Sequence, residues 1–230
     1  MKTPRQVRFP RVMAALFALV AAVAASACGP ASESDSEAVG GGFDRTEGRA
    51  GLRGLELDRP LPVEPFTLTG IELTGTEPVA FDFPDDVSDK LALFFFGFTN
   101  CPDICPVQMA VLSQALSNLS HAERSRVRVV FASVDPERDT PEQIRQWLDT
   151  FDRRFIGLRD DLDSVNAVQV ALGLPPSVMS PGGEPGHATP VVAVYGDSVR
   201  AMYPMGVRQT DWRHDLPIMI SRAAGDGNGG

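Results

Sequence analysis

The chain of 230 residues is long enough for one domain with extensions, and a content of 43% hydrophobic and 22% charged residues supplies one sizeable core. A formal net charge of -9 excludes non-specific nucleic-acid binding, which needs Lys and Arg set against phosphates. With only three cysteines, a disulfide framework is excluded too.

In chain order, Lys2, Arg5, Arg8 and Arg11 precede the apolar run Val12–Ala25, and small residues follow at Ser26-Ala27-Cys28. Residues 1–27 contain no acidic side chain and have the layout of an export signal. Its loss would leave a mature charge of -13. The run is shorter than the ~20 residues of a spanning helix, so a retained anchor ranks behind cleavage. Ala25-Ser26-Ala27-Cys28 is similar to a bacterial lipobox, although Ala25 stands where Leu is usual. Simple cleavage after Ala27 fits the same small residues. Cys28 has no evident partner, and a free thiol is a liability outside the cell, so lipidation of Cys28 is the favoured reading. It would tether the chain to a membrane face without spanning it.

Residues 28–54 include Ser32-Glu-Ser-Asp-Ser-Glu37 and Gly40-Gly-Gly42 and read as a flexible acidic tether. A folded domain is expected over 55–224, followed by a disordered tail at 225–230. Pro60, Pro62 and Pro65 mark an extended entry. Phe66-Thr-Leu68 and Val79–Phe83 predict short strands near an edge. Leu91–Phe98, a continuous apolar run rich in aromatics, predicts a central buried strand. Val107–Leu119 then places Met109, Leu112, Leu116 and Leu119 on one helical stripe. Val127–Val134 predicts the second strong strand. Thr140 and Pro141 supply an N-cap and first residue for a helix to about Phe151, with Ile144, Trp147 and Leu148 inward. A short strand at Phe155–Leu158 and a helix over Leu162–Leu172, capped within Asp160-Asp161-x-Asp163, follow. Residues 175–186 are full of Gly and Pro and read as a loop. Val191–Tyr195, a turn at Gly196-Asp197, a strand at Val199–Tyr203 and a helix over Asp211–Arg222 close the chain. This order predicts an α/β sandwich with a central sheet flanked by helices.

The chemistry concentrates at Cys101-Pro-Asp-Ile-Cys105, where a buried strand gives way to a helix. Unpaired backbone N–H groups and the helix dipole favour thiolate there. The spacing is expected to put both sulfurs on one side of a helical turn, stiffened by Pro102 and Pro106. Two cysteines that merely pack in a core are the bland alternative, and the polar turn around Asn100 and Asp103 argues against it. In an exported protein such a pair points to redox or metal chemistry.

Phe96-Gly-Phe-Thr-Asn-Cys-Pro-Asp-Ile-Cys-Pro106 resembles the signature of the SCO1/SenC family of copper-delivery proteins. Val134-Asp-Pro-Glu-Arg-Asp-Thr-Pro141 is similar to that family's second motif, and His187 with Gly196-Asp197 to its third. The likeness runs from about Leu57 to Ile220. It implies a thioredoxin-like fold with an N-terminal strand extension, and metal ligands at Cys101, Cys105 and His187. Asp135 would be a supporting residue near the site. It further implies delivery of copper to the Cu(A) site of a cytochrome c oxidase subunit, with other extracytoplasmic copper donors or thiol reductants as partners.

Two thiolates and an imidazole suit copper in either state, sulfur favouring Cu(I) and nitrogen supporting Cu(II). A structural zinc site normally takes a fourth protein ligand, and none is evident. His187 adjoins the Gly/Pro loop, which would let it swing toward a metal, and a strand expected beside the cysteines. His121 and His214 lack ligand-like neighbours and read as solvated. Met179, Met202 and Met205 read as packing rather than auxiliary ligands. The competing function is a thiol-disulfide oxidoreductase that uses Cys101 and Cys105 to reduce an acceptor's cysteines, since a thiolate is nucleophile as well as ligand. Dithiol enzymes of thioredoxin type usually carry two intervening residues, not three. A peroxidase would need an activating Arg motif that is not evident.

Overall fold

The computed structural model describes residues 51–226. The export signal, Cys28 and the end of the C-terminal tail lie outside the described residues.

Strand β1 (Leu55–Pro62) opens the domain, followed by the hairpin of β2 (Phe66–Ile71) and β3 (Pro78–Phe83). A short 3-10 turn at Asp85–Val87 leads into β4 (Leu91–Gly97). Helices α1 (Ile104–Ser117) and α2 (His121–Ser125) carry the chain to β5 (Val127–Ser133), and α3 (Pro141–Asp149) to β6 (Ile156–Leu158). After α4 (Leu162–Ala171) come the two-residue strands β7 (Val178–Met179) and β8 (Pro185–Gly186), then β9 (Val191–Tyr195), β10 (Ser198–Tyr203) and α5 (Gln209–Asp226). The main sheet has eight strands in the order β1-β10-β9-β4-β5-β6-β2-β3. Only β4–β5 and β5–β6 are parallel; the remaining pairs run antiparallel. It is the expected mixed sheet with helices on both faces.

Strand β4 is central because it is apolar on both faces, and every residue of it is buried. Leu91, Leu93 and Phe95 point into the layer with Met109 and Leu112 of α1, Ile144 and Leu148 of α3, and Trp212 and Leu216 of α5. Ala92, Phe94 and Phe96 point the other way, against Val165 and Val168 of α4 and against Leu68, Phe81 and Phe83 of the β2–β3 hairpin. Strand periodicity thus divides one run of residues between two core layers. Phe94 meets Phe81 and Phe83 edge-on at centroid distances of 6.2 Å.

Local signals fix the helix starts. Thr140 accepts the Gln143 N–H at 3.3 Å while the Gln143 side chain returns to the Thr140 N–H at 2.9 Å, a capping box with Pro141 just inside it. Asp161 caps α4 through the Ser164 N–H at 2.9 Å. Pro60 and Pro62 are accommodated because β1 is an edge strand, bonded among the described residues only to β10.

Several boundaries differ from expectation. Leu52, within the stretch read as tether, is buried in the core, and α5 continues through Asp226 into the stretch read as tail. Residues 178–186 are not an open loop: β7 and β8 pair antiparallel, Val178 with Gly186 and Met179 with Pro185. Breaker residues obscured this hairpin because its strands are too short to show a hydrophobic period. Among the described residues no helix is long and apolar enough to cross a membrane.

Candidate functional site

The sheet order reverses beside β4: the chain passes from β4 to β5 and β6 on one side and returns on the other as β9. Such a switch point leaves a crevice beyond the carboxyl end of the strand. Because β9 runs antiparallel to β4, with Phe94 opposite Val192, the residues just before β9 arrive where β4 ends. Cys101 and Cys105 follow β4 and His187 precedes β9, so topology alone brings these distant segments together.

The three side chains are held differently. Cys105 is the second residue of α1 and fully buried, while Cys101 lies ahead of the helix and is half-buried. The pair therefore does not share a helical turn. Instead the Cys105 N–H, a donor of the first turn with no intrahelical acceptor, reaches the Cys101 Sγ at 3.4 Å. Both cysteines are free thiols. Cys105 Sγ lies 3.8 Å from Nε2 of His187. Nδ1 of His187 is 3.0 Å from the carbonyl of Ala188, which can only accept, so Nδ1 carries the proton and the Nε2 lone pair faces the sulfur. This is how a metal-binding imidazole is commonly oriented, with its other nitrogen tied to a carbonyl. Phe95 and Phe98 meet the imidazole edge-on, at 6.3 and 5.7 Å between centroids, and restrict its rotation.

The expected thiolate stabilisation does not extend to Cys105. Burial pushes its thiol well above the ordinary range, and the neighbouring Cys101 and the negative charge of Asp139 act in the same direction. A backbone hydrogen bond from Phe98 only partly opposes them. At the second helical position the side chain turns into the core, so desolvation outweighs the helix dipole. Iodoacetamide at pH 8 is therefore expected to label Cys101 in the native protein and to spare Cys105 until the chain is unfolded. Mass spectrometry of timed samples reads the order, and equal labelling of both in the native state would contradict the buried thiol.

Gly97 makes room for that sulfur. A Cβ added there would lie 2.8 Å from Cys105 Sγ, with the rings of Phe95 and Phe131 at 3.0 and 3.2 Å closing the alternatives. Gly97→Ala is expected to destabilise the fold by about 1–3 kcal/mol through overpacking, read as a fall in the urea midpoint.

Of the carboxylates, Asp135 turns along its own loop to accept Arg138 Nε at 2.6 Å. It also lines a cleft of about 570 Å³ with Glu137, Arg159, Asp160 and Met179, beside rather than over the sulfurs. The carboxylate whose charge reaches Cys105 belongs to Asp139. It is buried and accepts from the Thr99 N–H at 3.1–3.2 Å, the Thr99 hydroxyl at 2.5 Å and the Ser133 hydroxyl at 2.6 Å. The sequence placed Asp139 within the second motif, just ahead of the α3 start, and gave it no role of its own; its pairing with Thr99 joins residues 40 apart. The remaining histidines stand outside this crevice. His121 is exposed, as expected, whereas Nδ1 of His214 is 2.7 Å from the buried carboxylate of Asp215. The Thr189-Pro190 bond is not cis: among the described residues the cis peptide is Phe83-Pro84.

Among the described residues no group of three His, Cys, Asp or Glu side chains is already arranged to hold a metal ion. The donor chemistry at the crevice is nonetheless two thiols and an oriented imidazole.

Comparison with known proteins places the chain in a family. A profile of the SCO1/SenC family matches residues 71–175. A putative copper-binding protein of Stutzerimonas stutzeri is 37% identical over 83 residues, 36% of this chain and 41% of that one. Mitochondrial SCO2 of Saccharomyces cerevisiae is 34% identical over 84 residues, 36% of this chain and 28% of that one. The match thus spans less than half the length of these curated relatives. Among solved structures, apo Sco1 of Thermus thermophilus superposes with a TM-score of 0.63 at 30% identity, covering 77% of this chain and 99% of that one. ScoI of Bradyrhizobium japonicum, solved with copper bound, gives a TM-score of 0.56 at 26% identity, covering 69% and 99%. With that motif set, that topology and near-complete coverage of a solved relative, the chain belongs to the SCO1/SenC family of thioredoxin-like proteins.

Proposed function

We propose that this protein is an extracytoplasmic copper chaperone that helps assemble the Cu(A) site of cytochrome c oxidase, with copper as its cargo. The approach of Cys105 Sγ to the His187 Nε2 lone pair at 3.8 Å, with Cys101 Sγ on the adjoining N–H, carries this reading. Cys101, Cys105 and His187 would hold the ion. Thiolate and imidazole together accept Cu(I) and Cu(II), and ligation would take the Cys105 proton, so metal binding releases it. Closing on an ion requires the half-buried Cys101 side chain or the segment around His187 to move inward. Asp139 holds the turn before Cys101, and Asp135 supports the site indirectly through its loop. Copper-binding and copper-bound relatives favour the metal, and membership in a family that includes cytochrome c oxidase assembly proteins favours the acceptor. Export and lipidation at Cys28 would hold the domain at the outer face of the cytoplasmic membrane, within reach of an oxidase subunit, copper donors and thiol reductants.

The reduced protein is expected to take up one equivalent of Cu(I) in a competition titration with a chromophoric chelator. His187→Ala is expected to weaken it by at least about tenfold, one lost ligand being worth more than 1.4 kcal/mol. Unchanged affinity in the variant would sink the three-ligand site. A second reading, thiol-disulfide exchange, draws on the asymmetry between the half-buried Cys101 and the buried Cys105. It predicts that His187→Ala keeps the full dithiol reductase rate.

A further inference from the structure

At the pole opposite the thiols, the chain gathers arginines around a small pocket. The pocket has a volume of about 210 Å³, and its lining includes Leu116, His121, Arg124, Arg128, Asp152 and Arg154. Cys105 is the second residue of α1 and Leu116 the last but one, so at 1.5 Å per residue the two sites are about 16 Å apart along the helix. Asp152, with its side chain 7% exposed, accepts Arg124 Nη2 at 2.7 Å and Arg154 Nη2 at 2.9 Å, holding two guanidiniums with one carboxylate. Among the described residues, Arg128 Nη1 is anchored to the carbonyls of Ser125 and Val127, at 3.2 and 3.3 Å. Glu123, the nearby acid on α2, is engaged by the N–H and hydroxyl of Ser120 at 2.9 and 2.6 Å.

Three arginines against one aspartate leave an excess of two positive charges with His121 neutral. The carboxyl end of α1 offsets about half a charge. In a chain of net charge -9, this concentration is not a consequence of composition. Moreover, Arg124 Nε is buried and has no hydrogen-bond partner among the described residues, a donor that an entering acceptor would satisfy.

We propose that this pocket binds a phosphate group, held by the guanidiniums of Arg124, Arg128 and Arg154. Planar guanidiniums match phosphate oxygens bidentately, and a phosphate of one to two negative charges balances the excess. The group is either free phosphate or the headgroup of an anionic lipid; in the second case the domain would rest on the membrane with its thiols facing outward.

The test uses the full chain, with inorganic phosphate against chloride at matched ionic strength, and phosphatidylglycerol against phosphatidylcholine vesicles. Phosphate is expected to raise Tm, or phosphatidylglycerol vesicles to bind in preference. The preference is expected to weaken about tenfold or more in Arg128→Gln and Arg124→Gln, each removing charge-assisted hydrogen bonds. Arg128→Gln breaks no ion pair among the described residues and covers the case in which Arg124→Gln fails to fold. Arg213→Gln, on the exposed face of α5, is expected to behave as wild type. A Tm response without vesicle preference assigns free phosphate, and vesicle preference assigns the headgroup. No response to either probe, or the same response in the pocket variants, overturns the proposal. An N-terminal apolar or basic segment is common to all variants and cannot mimic their difference.

Discussion

Asp215→Ala is expected to lower the stability of the fold by about 3–5 kcal/mol, the range seen when one partner of a buried charged network is removed. Asp215 is fully buried within α5 and binds groups far away in sequence. Its carboxylate accepts from the N–H of Arg53 at 2.9–3.0 Å, the N–H of Gly54 at 2.9 Å, the Tyr203 hydroxyl at 2.8 Å and the His214 ring at 2.7 Å. It therefore ties the start of the domain, the last strand and the closing helix at one point. Alanine would leave the two backbone donors without their acceptor, each at about 1–3 kcal/mol where water does not enter, and the phenol with only the weak acceptor Met219 Sδ at 3.4 Å. Water entry is obstructed: Trp212 stacks on Tyr203 at 4.0 Å, and Gly54 lies so close that a Cβ there would be 2.4 Å from the Tyr203 ring.

At roughly 2–4 °C per kcal/mol for a domain of this size, Tm should fall by about 6–20 °C. Urea unfolding followed by tryptophan fluorescence gives the free energy directly. Asp215→Asn keeps one acceptor oxygen but sets an amide donor against donors, so it is expected to fall between alanine and wild type. A loss below about 1 kcal/mol in the alanine variant would mean that solvent replaces the carboxylate, and the network would lose its proposed role.

Asp215 also illustrates what could be read from the sequence. Elements with a strong local signal were legible: the run Leu91–Phe98 as the central strand, Val127–Val134 as a second strong strand, and Thr140-Pro141 as a helix start. Their residue types determine burial or capping within a few positions. The cysteine motif marked the site because it sits at the end of that strand. What stayed hidden depends on tertiary neighbours. The burial that raises the Cys105 thiol comes from packing at the second helical position, which spacing does not reveal. The β7–β8 hairpin lies within Gly- and Pro-rich residues that locally read as loop. Asp215 looks like an ordinary helix-surface acid until Arg53, Gly54 and Tyr203 are folded against it. The arginines around Asp152 likewise come from separate stretches, 124–128 and 154, whose charge adds up only in the fold.

The second large effect is expected at Asp139, where stability and copper affinity should fall together. Its buried carboxylate closes a polar knot between the end of β5 and the turn that delivers Cys101: Ser133 donates from the strand, and Thr99 donates through both N–H and hydroxyl. Its own carbonyl accepts Arg159 Nε at 2.7 Å, which ties the same loop toward the start of α4. Asp139→Ala removes the acceptor for three donors and is expected to cost about 2–4 kcal/mol, since a lost buried network is among the causes of large single-site effects. The turn at Thr99 and Asn100 would lose its anchor, and Cys101 its fixed approach to the first turn of α1. A ligand held less firmly must be ordered during binding, so Cu(I) affinity is expected to fall by about tenfold or more even under conditions where the variant is fully folded. Asp139→Asn separates the two contributions. It retains an oxygen for Thr99, and the Ser133 hydroxyl can turn to accept from the new amide, so the loop should keep its shape and most of its affinity. The removed charge should also lower the Cys105 thiol slightly, because Asp139 helps to raise it, while burial, the larger cause, still shields the sulfur from alkylation in the native state. If Asp139→Ala folds and binds copper as tightly as wild type, the knot serves only the fold and the positioning role fails.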